Sequence, residues 1–407
     1  ADNIKEMKEL MKWENEDFFV PQDVYTNMET YIANGENAEQ SWNELFAKYE
    51  EAYPELASEY KKWHELDVTD ELLNDKDFWK FEKGCATRQA SGDVLNKLTS
   101  FIPNLMGGSA DLAPSNKSDM KNTGFFSKED RSGQNIHFGV REHAMAAITN
   151  AIAAHGGLKA YCATFFVFSD YMKGAMRLSA LMNLPVTYIL THDSIGVGED
   201  GPTHEPVEQE AQIRLMEQLK NHSGKNSVLV LRPADSAETL VSWKLAMENK
   251  DTPTALILSR QDVPDLPSAS GSRYNDALQA EKGAYILMKD ETPDVVLVAN
   301  GSEVSTLVGA VNILHDKGVR VQIVSAPSIG LFLEQPLSYR NAVIPPGLPV
   351  FGLPAGLPST LFPLVGSEGK VYGLDHFGYS APYKVLDEKL GFTSDNIARE
   401  IIEFVEK

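Results

Sequence analysis

The sequence predicts an α/β protein: two domains with mostly parallel sheets flanked by helices, preceded by a helical connector. After residue 81, short apolar runs of strand length alternate with helical patterns, an order typical of parallel sheets covered on both faces. Residues 1–80 show helical patterns and no strand pattern. A stretch rich in Pro, Ser and Gly, Asp262–Ser272, divides the alternating region in two.

The 407-residue chain is long enough for two or three domains, and its 43% hydrophobic content allows a large buried core. Its net charge of −21 argues against nucleic acid and anionic membrane as partners, because both attract clustered positive charge. The two cysteines, Cys85 and Cys162, are too few for a disulfide scaffold and favour a reducing, cytoplasmic location. No apolar run approaches the roughly 18 residues of a membrane span. The first residue is not Met, which predicts a processed chain or a fragment.

Residues 1–80, the predicted connector, are acidic and carry regularly spaced aromatic residues, and their helical pattern breaks at Pro54. Residues 81–268 form the first predicted domain, with helices at Thr87–Leu98 and Arg141–Ala154. Its strands are predicted at Lys159–Thr164, Val186–Thr191, Val228–Arg232 and Thr254–Ser259.

Residues 269–407 form the second predicted domain. A strand, a helix and a strand follow one another there and make one βαβ unit. They are predicted at Val295–Ala299, Ser302–Asp316 and Val319–Val324, and a final helix at Asn396–Lys407.

The densest group of ionisable residues lies in the glycine-rich loop Thr191–Gln209, after a predicted strand. It contains His192, Asp193, Glu199, Asp200, His204 and Glu205. Ligands of open α/β sheets bind at the carboxyl ends of strands, so a polar site is one interpretation. A solvated acidic loop is the other, and composition alone does not separate the two.

Two further interpretations of this loop are unfavourable. Gly196, Gly198 and Gly201 satisfy G-x-G-x-x-G, but Glu199 and Asp200 would repel a pyrophosphate. The two histidines lack the companion residues of a zinc site, so the sequence predicts no metal ligands here.

Other candidate residues also have a structural and a functional interpretation. Phe165, Phe168 and Tyr171 would share one face of a helix, where they pack in the core or hold a planar ring. Glu142 begins an apolar helix, where it complements the helix dipole or shares a proton with a ligand. Arg88 and Arg260 adjoin Thr87 and Ser259 and either bind phosphate or form surface ion pairs.

Taken together, these blocks resemble the transketolase family of thiamine-diphosphate enzymes, over nearly all of residues 81–407. The matching blocks are Gly107-Gly-Ser-Ala-Asp-Leu-Ala-Pro-Ser115-Asn, Phe138-Gly-Val-Arg-Glu142-His, the three aromatic residues, the His192 to His204 loop, Leu256-Ile-Leu-Ser-Arg260-Gln, Asn300-Gly-Ser-Glu-Val304 and Phe377-Gly-Tyr-Ser-Ala-Pro382. Because many blocks agree in order, the resemblance is far more specific than any single motif.

The resemblance implies roles for individual residues. Glu142 would hydrogen-bond the pyrimidine nitrogen N1′ of the cofactor as the central catalytic residue, and Asp200 and His204 would contact substrate hydroxyls. Asp111, Leu112, Phe165, Phe168 and Tyr171 would complete the cofactor site. Arg88, Ser115, His192 and Arg260 would bind the sugar phosphate.

The resemblance also implies domains, cofactors and partners. Residues 1–80 would be a connector with the tail of the diphosphate-binding domain, residues 81–268 the pyrimidine-binding domain and residues 269–407 the C-terminal domain. The whole enzyme would be a homodimer and would act in the pentose phosphate pathway. It would use thiamine diphosphate and Mg²⁺ to move a two-carbon ketol unit from a ketose phosphate to an aldose phosphate through a cofactor adduct.

Two departures from the family are expected to matter. No Gly-Asp-Gly triplet, which opens the family's Mg²⁺ and diphosphate motif, occurs in the sequence. The sequence therefore predicts a chain that lacks most of the diphosphate-binding domain, does not bind the cofactor tightly and is inactive alone. Residues 213–231 are longer than the family pattern and predict a surface loop with a helical start.

Two alternatives stay open from the sequence. The chain could be the separate C-terminal subunit of a split thiamine-diphosphate transferase, or a catalytically silent dimerisation module. Related enzymes such as dihydroxyacetone synthase and deoxyxylulose-phosphate synthase fit less well, because the pairing of His192 and His204 with the phosphate-binding residues favours transketolase.

Overall fold

The computed structural model describes residues 2–65 and 84–406 and confirms the predicted α/β fold. Two compact units are present, Ala1–Lys62 and Trp63–Lys407. The predicted boundary between residues 80 and 81 lies outside the described residues.

The first unit is helical. Helix α1 covers Asp2–Leu10, α2 covers Gln22–Ala52, and α3, Pro54–Glu65, begins in this unit. The predicted break occurs at Pro54, which can begin a helix because the first turn does not need its missing N–H. Phe46 packs between Trp42 and Tyr60, with ring centroids 6.0 and 5.4 Å away.

The second unit opens with a six-stranded, fully parallel sheet in the order β2-β1-β3-β4-β6-β5. Its strands are β1 Leu105–Ser109, β2 Asn135–His137, β3 Lys159–Phe165, β4 Thr187–Thr191, β5 Leu229–Leu231 and β6 Thr254–Leu258. Its helices are α4 Thr87–Leu98, α5 Ala113–Asn116, α6 Glu142–His155, α7 Ser169–Leu181, α8 Gln209–Gln218 and α9 Ser236–Glu248. Every residue of β3, β4 and β6 is buried, as expected for central strands covered on both faces.

The pairing register places three strand ends together. Ser109 at the end of β1 pairs with Ala163 of β3, and Phe165 at the end of β3 pairs with Thr191 of β4. The loops that follow these strands therefore meet at one edge of the sheet, where α/β proteins bind ligands.

A second, five-stranded sheet follows in the order β11-β10-β8-β9-β7, with only β7 antiparallel to its neighbour. The strands are β7 Tyr285–Lys289, β8 Val295–Ala299, β9 Val321–Ser325, β10 Val350–Leu353 and β11 Lys370–Val371. The helices are α10 Arg273–Ala277, α11 Glu303–Asp316, α12 Ile329–Glu334, α13 Leu337–Val343, α14 Phe362–Val365, α15 Tyr383–Leu390 and α16 Ser394–Val405. The predicted βαβ unit is β8, α11 and β9.

The segment 213–231 begins inside helix α8, where Ile213 and Arg214 are buried, and continues as a turn before β5. The Asn221 carboxamide oxygen accepts hydrogen bonds from the N–H groups of Ser223 and Lys225, both at 3.0 Å. His222 to Lys225 are exposed, so this stretch is an ordered surface turn after a helical start.

A buried arginine joins the two sheet-containing parts. The Arg232 guanidinium is fully buried, and its Nη2 and Nη1 lie 2.6 Å from carboxylate oxygens of Asp193 and Glu303 respectively. Its Nη1 also donates to the Asn300 carbonyl at 2.8 Å. Gly301 adopts φ +59° and lies directly against this guanidinium, so a Cβ added at residue 301 would overlap it. Asp193 belongs to the first part and Glu303 to the second, so Arg232 holds them together.

Glu205 is a second buried ionisable group between these parts. Its side chain is 3% exposed, it contacts Gly378, and neither carboxylate oxygen makes a well-formed hydrogen bond within the described residues. Burial raises the pKa of Glu205 to about 7, although the nearby N–H of Tyr379 lowers it slightly.

We expect Gly301→Ala to destabilise the protein more than Gly318→Ala. Both positions have positive φ, so both variants carry a backbone cost of about 1 kcal/mol. Open space surrounds Gly318, whereas residue 301 would press on Arg232, which adds about 1–3 kcal/mol. Urea unfolding of the two variants measures the difference, and equal losses would contradict a tight contact at Arg232.

We expect Glu205→Gln to gain stability relative to the unaltered protein as pH rises. The carboxyl group of Glu205 loses its proton near pH 4.5 in the unfolded chain and near pH 7 in the folded protein. Its contribution to the free energy of unfolding therefore declines between these two pH values and is constant above pH 7. The total decline is about 3 kcal/mol. Urea unfolding at pH 4.5 and pH 8 measures it, with the exposed Glu129→Gln as the charge-removal control. Parallel pH profiles for the unaltered protein and Glu205→Gln would refute this.

Candidate functional site

A cleft of about 390 Å³ lies at the carboxyl edge of the first sheet. Its lining residues are Ala110, Asp111, Leu112, Val140, Glu142, Phe168 and Tyr171. They come from the loop after β1, the start of α6, and the turn and helix after β3. The cleft therefore forms where the strand-end loops meet.

Glu142 is the first residue of helix α6 and is half-buried in the cleft wall. The preceding turn is held by Arg141, whose Nη1 donates to the Phe138 carbonyl at 2.8 Å. The position suits a carboxylate because the helix N-terminus carries partial positive charge. The two interpretations of Glu142 are thus compatible, since one carboxylate both begins the helix and faces the cleft.

The three aromatic residues do not share a helix face, and that part of the sequence prediction is wrong. Phe165 ends strand β3, Phe168 lies in the 3₁₀ turn Phe166–Phe168, and Tyr171 lies in α7. The rings still form a row, with centroids 6.1 Å apart from Phe165 to Phe168 and from Phe168 to Tyr171. Only Phe168 and Tyr171 line the cleft, because Phe165 is buried behind them.

Phe165 instead faces a second group of residues. Its ring stacks on the His192 imidazole, with centroids 3.5 Å apart. The Arg88 Nη1 donates to the Ser115 carbonyl at 2.8 Å and lies 3.2 Å from the His192 Nε2. The structure therefore brings together Arg88, Ser115 and His192, three of the residues to which the family resemblance assigned phosphate binding.

This second group is positively charged. Burial, and then the proximity of Arg260, lowers the pKa of Arg88. Burial and the charges of Arg88 and Arg260 lower the pKa of His192 to about 3. Within the described residues neither Arg88 nor Arg260 makes an ion pair, and the charge of the nearby Asp262, which raises the pKa of Arg88, only partly offsets the effect of Arg260. Such an arrangement is suited to an anion.

His204 lies between the cleft and the cationic group. Its ring meets Phe165 and Phe168 edge-on, with centroid distances of 6.2 and 5.4 Å. Asp200 is exposed at the rim of the loop. The two buried acids of this loop, Asp193 and Glu205, face away from the cleft into the contacts described above.

Sequence reasoning missed two buried residues that hold His192. The Thr191 Oγ1 lies 2.8 Å from the His192 Nδ1 and donates to the Asn116 Oδ1 at 2.6 Å. Thr191 ends β4, and Asn116 ends helix α5, which follows β1. The sequence indicates only that Thr191 and Asn116 lie after strands of the same sheet, and this does not predict a hydrogen bond between them.

No cluster of metal-ligating side chains occurs in residues 2–65 and 84–406. Within the same residues, no helix has both the length and the apolar character needed to cross a membrane.

Three domain models of one family match successive parts of the chain. Residues 1–67 match the transketolase thiamine diphosphate binding domain, 83–265 the transketolase pyrimidine binding domain and 283–393 the transketolase-like C-terminal domain. The first match corrects the sequence analysis. The diphosphate-binding domain is represented in this chain, so the prediction that most of it is lacking is wrong.

Transketolases of Halalkalibacterium halodurans and Bacillus subtilis are each 45% identical over 98% of this chain, which spans 58% and 59% of their lengths. The structure of a Pichia stipitis transketolase mutant in complex with xylulose 5-phosphate superposes with a TM-score of 0.85 at 36% identity, covering 100% of this chain and 58% of that one. A Campylobacter jejuni transketolase superposes at 0.81 with 34% identity, covering 99% and 58%. The chain thus spans less than two thirds of these relatives. With three domain models matched in family order and close relatives along nearly its whole length, the chain belongs to the transketolase family.

Proposed function

We propose that the protein containing this chain transfers a two-carbon ketol unit from a ketose phosphate to an aldose phosphate with thiamine diphosphate. One observation carries the proposal: a carboxylate-and-aromatic cleft lies beside a cationic group, and His204 contacts both through Phe168 and Phe165. A flat ring in the cleft and a phosphate at Arg88 and Arg260 would place the reacting carbons between them, near His204.

The cleft fits the pyrimidine ring of the cofactor. Glu142 supplies a carboxylate for the ring nitrogen, and the rings of Phe168 and Tyr171 supply flat apolar contacts. When bound, thiamine diphosphate supplies the carbon nucleophile that carries the two-carbon unit. Glu142 holds a proton at the ring nitrogen. Asp111 and Leu112 line the part of the cleft from which the rest of the cofactor would extend.

The cationic group fits the phosphate of the sugar. Arg88 and Arg260 provide charge, and His192 and Ser115 lie against Arg88. We propose that His204 and Asp200 contact the sugar hydroxyls. We propose that Mg²⁺ accompanies the diphosphate of the cofactor.

We further propose that a second copy of the protein covers the cleft. Val140 and Tyr171 of the cleft wall are 76% and 66% exposed. The neighbouring helices α6 and α7 also expose apolar side chains, namely Ile148, Leu178 and Leu181. Apolar surface of this kind, continuous with a functional cleft, is typical of an interface. A homodimer would exclude water from Glu142.

We expect the 407-residue chain alone to show no ketol transfer, because it has no Gly-Asp-Gly triplet to anchor the diphosphate. A coupled assay with xylulose 5-phosphate and ribose 5-phosphate tests this. Turnover in the ordinary enzyme range, about 1–1000 per second, would refute inactivity.

If a separately expressed diphosphate-binding chain restores turnover, the split-subunit alternative is supported. Calorimetry that detects tight binding of thiamine diphosphate would exclude a silent module.

In the protein containing this chain, we expect Glu142→Gln to lower kcat by about 100-fold or more, because an amide has no acidic proton to share with the ring nitrogen. Glu129→Gln, on an exposed loop, is the matched control and should leave kcat unchanged. Circular dichroism verifies the folding of both variants. Equal kcat values for Glu142→Gln and Glu129→Gln would remove Glu142 from the proposed chemistry.

A further inference from the structure

We propose that a segment of the second sheet-containing part positions Asp200 and His204 for substrate. This segment is Phe377–Pro382, the support segment, and it holds the loop after β4 through Gly378 and Ser380. The inference rests on the proposed function, in which Asp200 and His204 contact sugar hydroxyls. It gives a role to a block that the proposed function otherwise leaves unused.

Both ends of the loop after β4 are packed into the second part. Ile195 near its start and Val207 near its end are 4% and 5% exposed, and both belong to the same buried apolar cluster as Leu353 of β10. The Val207 carbonyl also accepts a hydrogen bond from the Leu357 N–H at 3.1 Å. Because protein interiors are densely packed, these two anchors leave the loop little freedom at either end.

The support segment holds the backbone on both sides of Asp200. The Ser380 hydroxyl donates to the Glu199 carbonyl at 2.6 Å. Gly201 adopts φ +76° and lies so close to Ser380 that a Cβ added at residue 201 would be 3.0 Å from the Ser380 Cβ. Asp200 itself is exposed, so its neighbours are fixed while its carboxylate remains accessible to a ligand.

A steric contact holds the residue that follows His204. The Glu205 carboxylate lies against Gly378, both residues are buried, and a Cβ added at residue 378 would overlap the Glu205 Oε2. Neither Glu205 oxygen makes a well-formed hydrogen bond within the described residues, so shape rather than hydrogen bonding determines where this side chain lies. A single methyl group at residue 378 would therefore displace Glu205 and, with it, His204.

His204 depends on this support because its contacts with the first part are slight. Its ring meets Phe165 and Phe168 only edge-on, and its Nδ1 lies 2.8 Å from the Thr203 hydroxyl of the same loop. Among residues 2–65 and 84–406, no hydrogen bond joins its side chain to another element. The path of the loop therefore sets the position of the imidazole, and a displacement of about 1 Å in a substrate-positioning group can lower a rate by about 100-fold.

Gly378→Ala in the protein containing this chain tests the support. Gly369→Ala, near β11, is the matched control, because an added Cβ there would overlap the Val365 side chain and the Val350 carbonyl, far along the chain from the support segment. We expect Gly378→Ala to lower kcat/KM for xylulose 5-phosphate by about tenfold or more, and Gly369→Ala to stay within about twofold. Both variants should bind thiamine diphosphate within about twofold of the unaltered protein. Equal kcat/KM values for the two variants, or an equally large loss of cofactor binding in Gly378→Ala, would overturn the inference.

A shorter side chain at residue 205 provides a rescue. Glu205→Ala frees the space that a Cβ at residue 378 needs, so adding Gly378→Ala to Glu205→Ala should lower kcat/KM by less than about twofold. If Gly378→Ala is as harmful in this background as in the unaltered protein, the contact between residues 205 and 378 does not position His204.

Hydrogen exchange of the 407-residue chain tests the support without an activity measurement. We expect Gly378→Ala and Ser380→Ala to speed amide exchange about tenfold within residues 198–205 and to leave helix α6 unchanged. Ser380→Ala removes only the hydrogen bond to Glu199, so it decides the question if Gly378→Ala does not fold. Unchanged exchange of residues 198–205 in Ser380→Ala would refute the support. If the protein containing this chain shows no ketol transfer, the proposed function fails, and the exchange rates still decide whether the support segment holds the loop.

Discussion

The buried contact of Arg232 with Asp193 and Glu303 is the constraint on which the site depends. Asp193 directly follows His192, so the ion pair determines where the loop after β4 leaves the sheet. The pair joins a loop of the first sheet to helix α11 of the second part. A buried pair of this kind adds little net stability compared with apolar packing, but losing one partner leaves a buried, unpaired charge. Its main effect is therefore to specify one geometry for the loop.

That geometry separates side chains that are neighbours in sequence. Asp193 and Glu205 point into the contact between the two parts, while His192 and His204 face the strand ends. As a result, a chain of net charge −21 presents Arg88 and Arg260 with no ion pair to either guanidinium among the described residues, and the charge of Asp262 only partly offsets theirs. At physiological ionic strength, screening over about 8 Å reduces the influence of the more distant surface carboxylates. A local cationic group can therefore attract an anion on an acidic protein.

The sequence predicts the central architecture well, because fully buried parallel strands are short, apolar and bounded by polar loops. The helix Thr87–Leu98 has the predicted bounds. The grouping of Arg88, Ser115 and His192 came from the family resemblance and not from a local pattern, since Arg88 lies in the first turn of helix α4. The aromatic row was predicted on a single helix, but the backbone changes from strand to 3₁₀ turn to helix within Phe165–Tyr171. Periodicity cannot reveal such a change. The roles of Thr191 and Asn116 depend on hydrogen bonds between distant segments, which no local pattern encodes.

The parallel order of the first sheet has a practical outcome for the turn at His222 to Lys225. This turn precedes strand β5, so it lies at the amino edge of the sheet, whereas the cleft and the cationic group of Arg88 and Arg260 lie at the carboxyl edge. Length and composition can vary there without displacing a strand end. A fluorophore or affinity tag attached at the exposed Ser223 would therefore report on the molecule from the side of the sheet opposite the cleft.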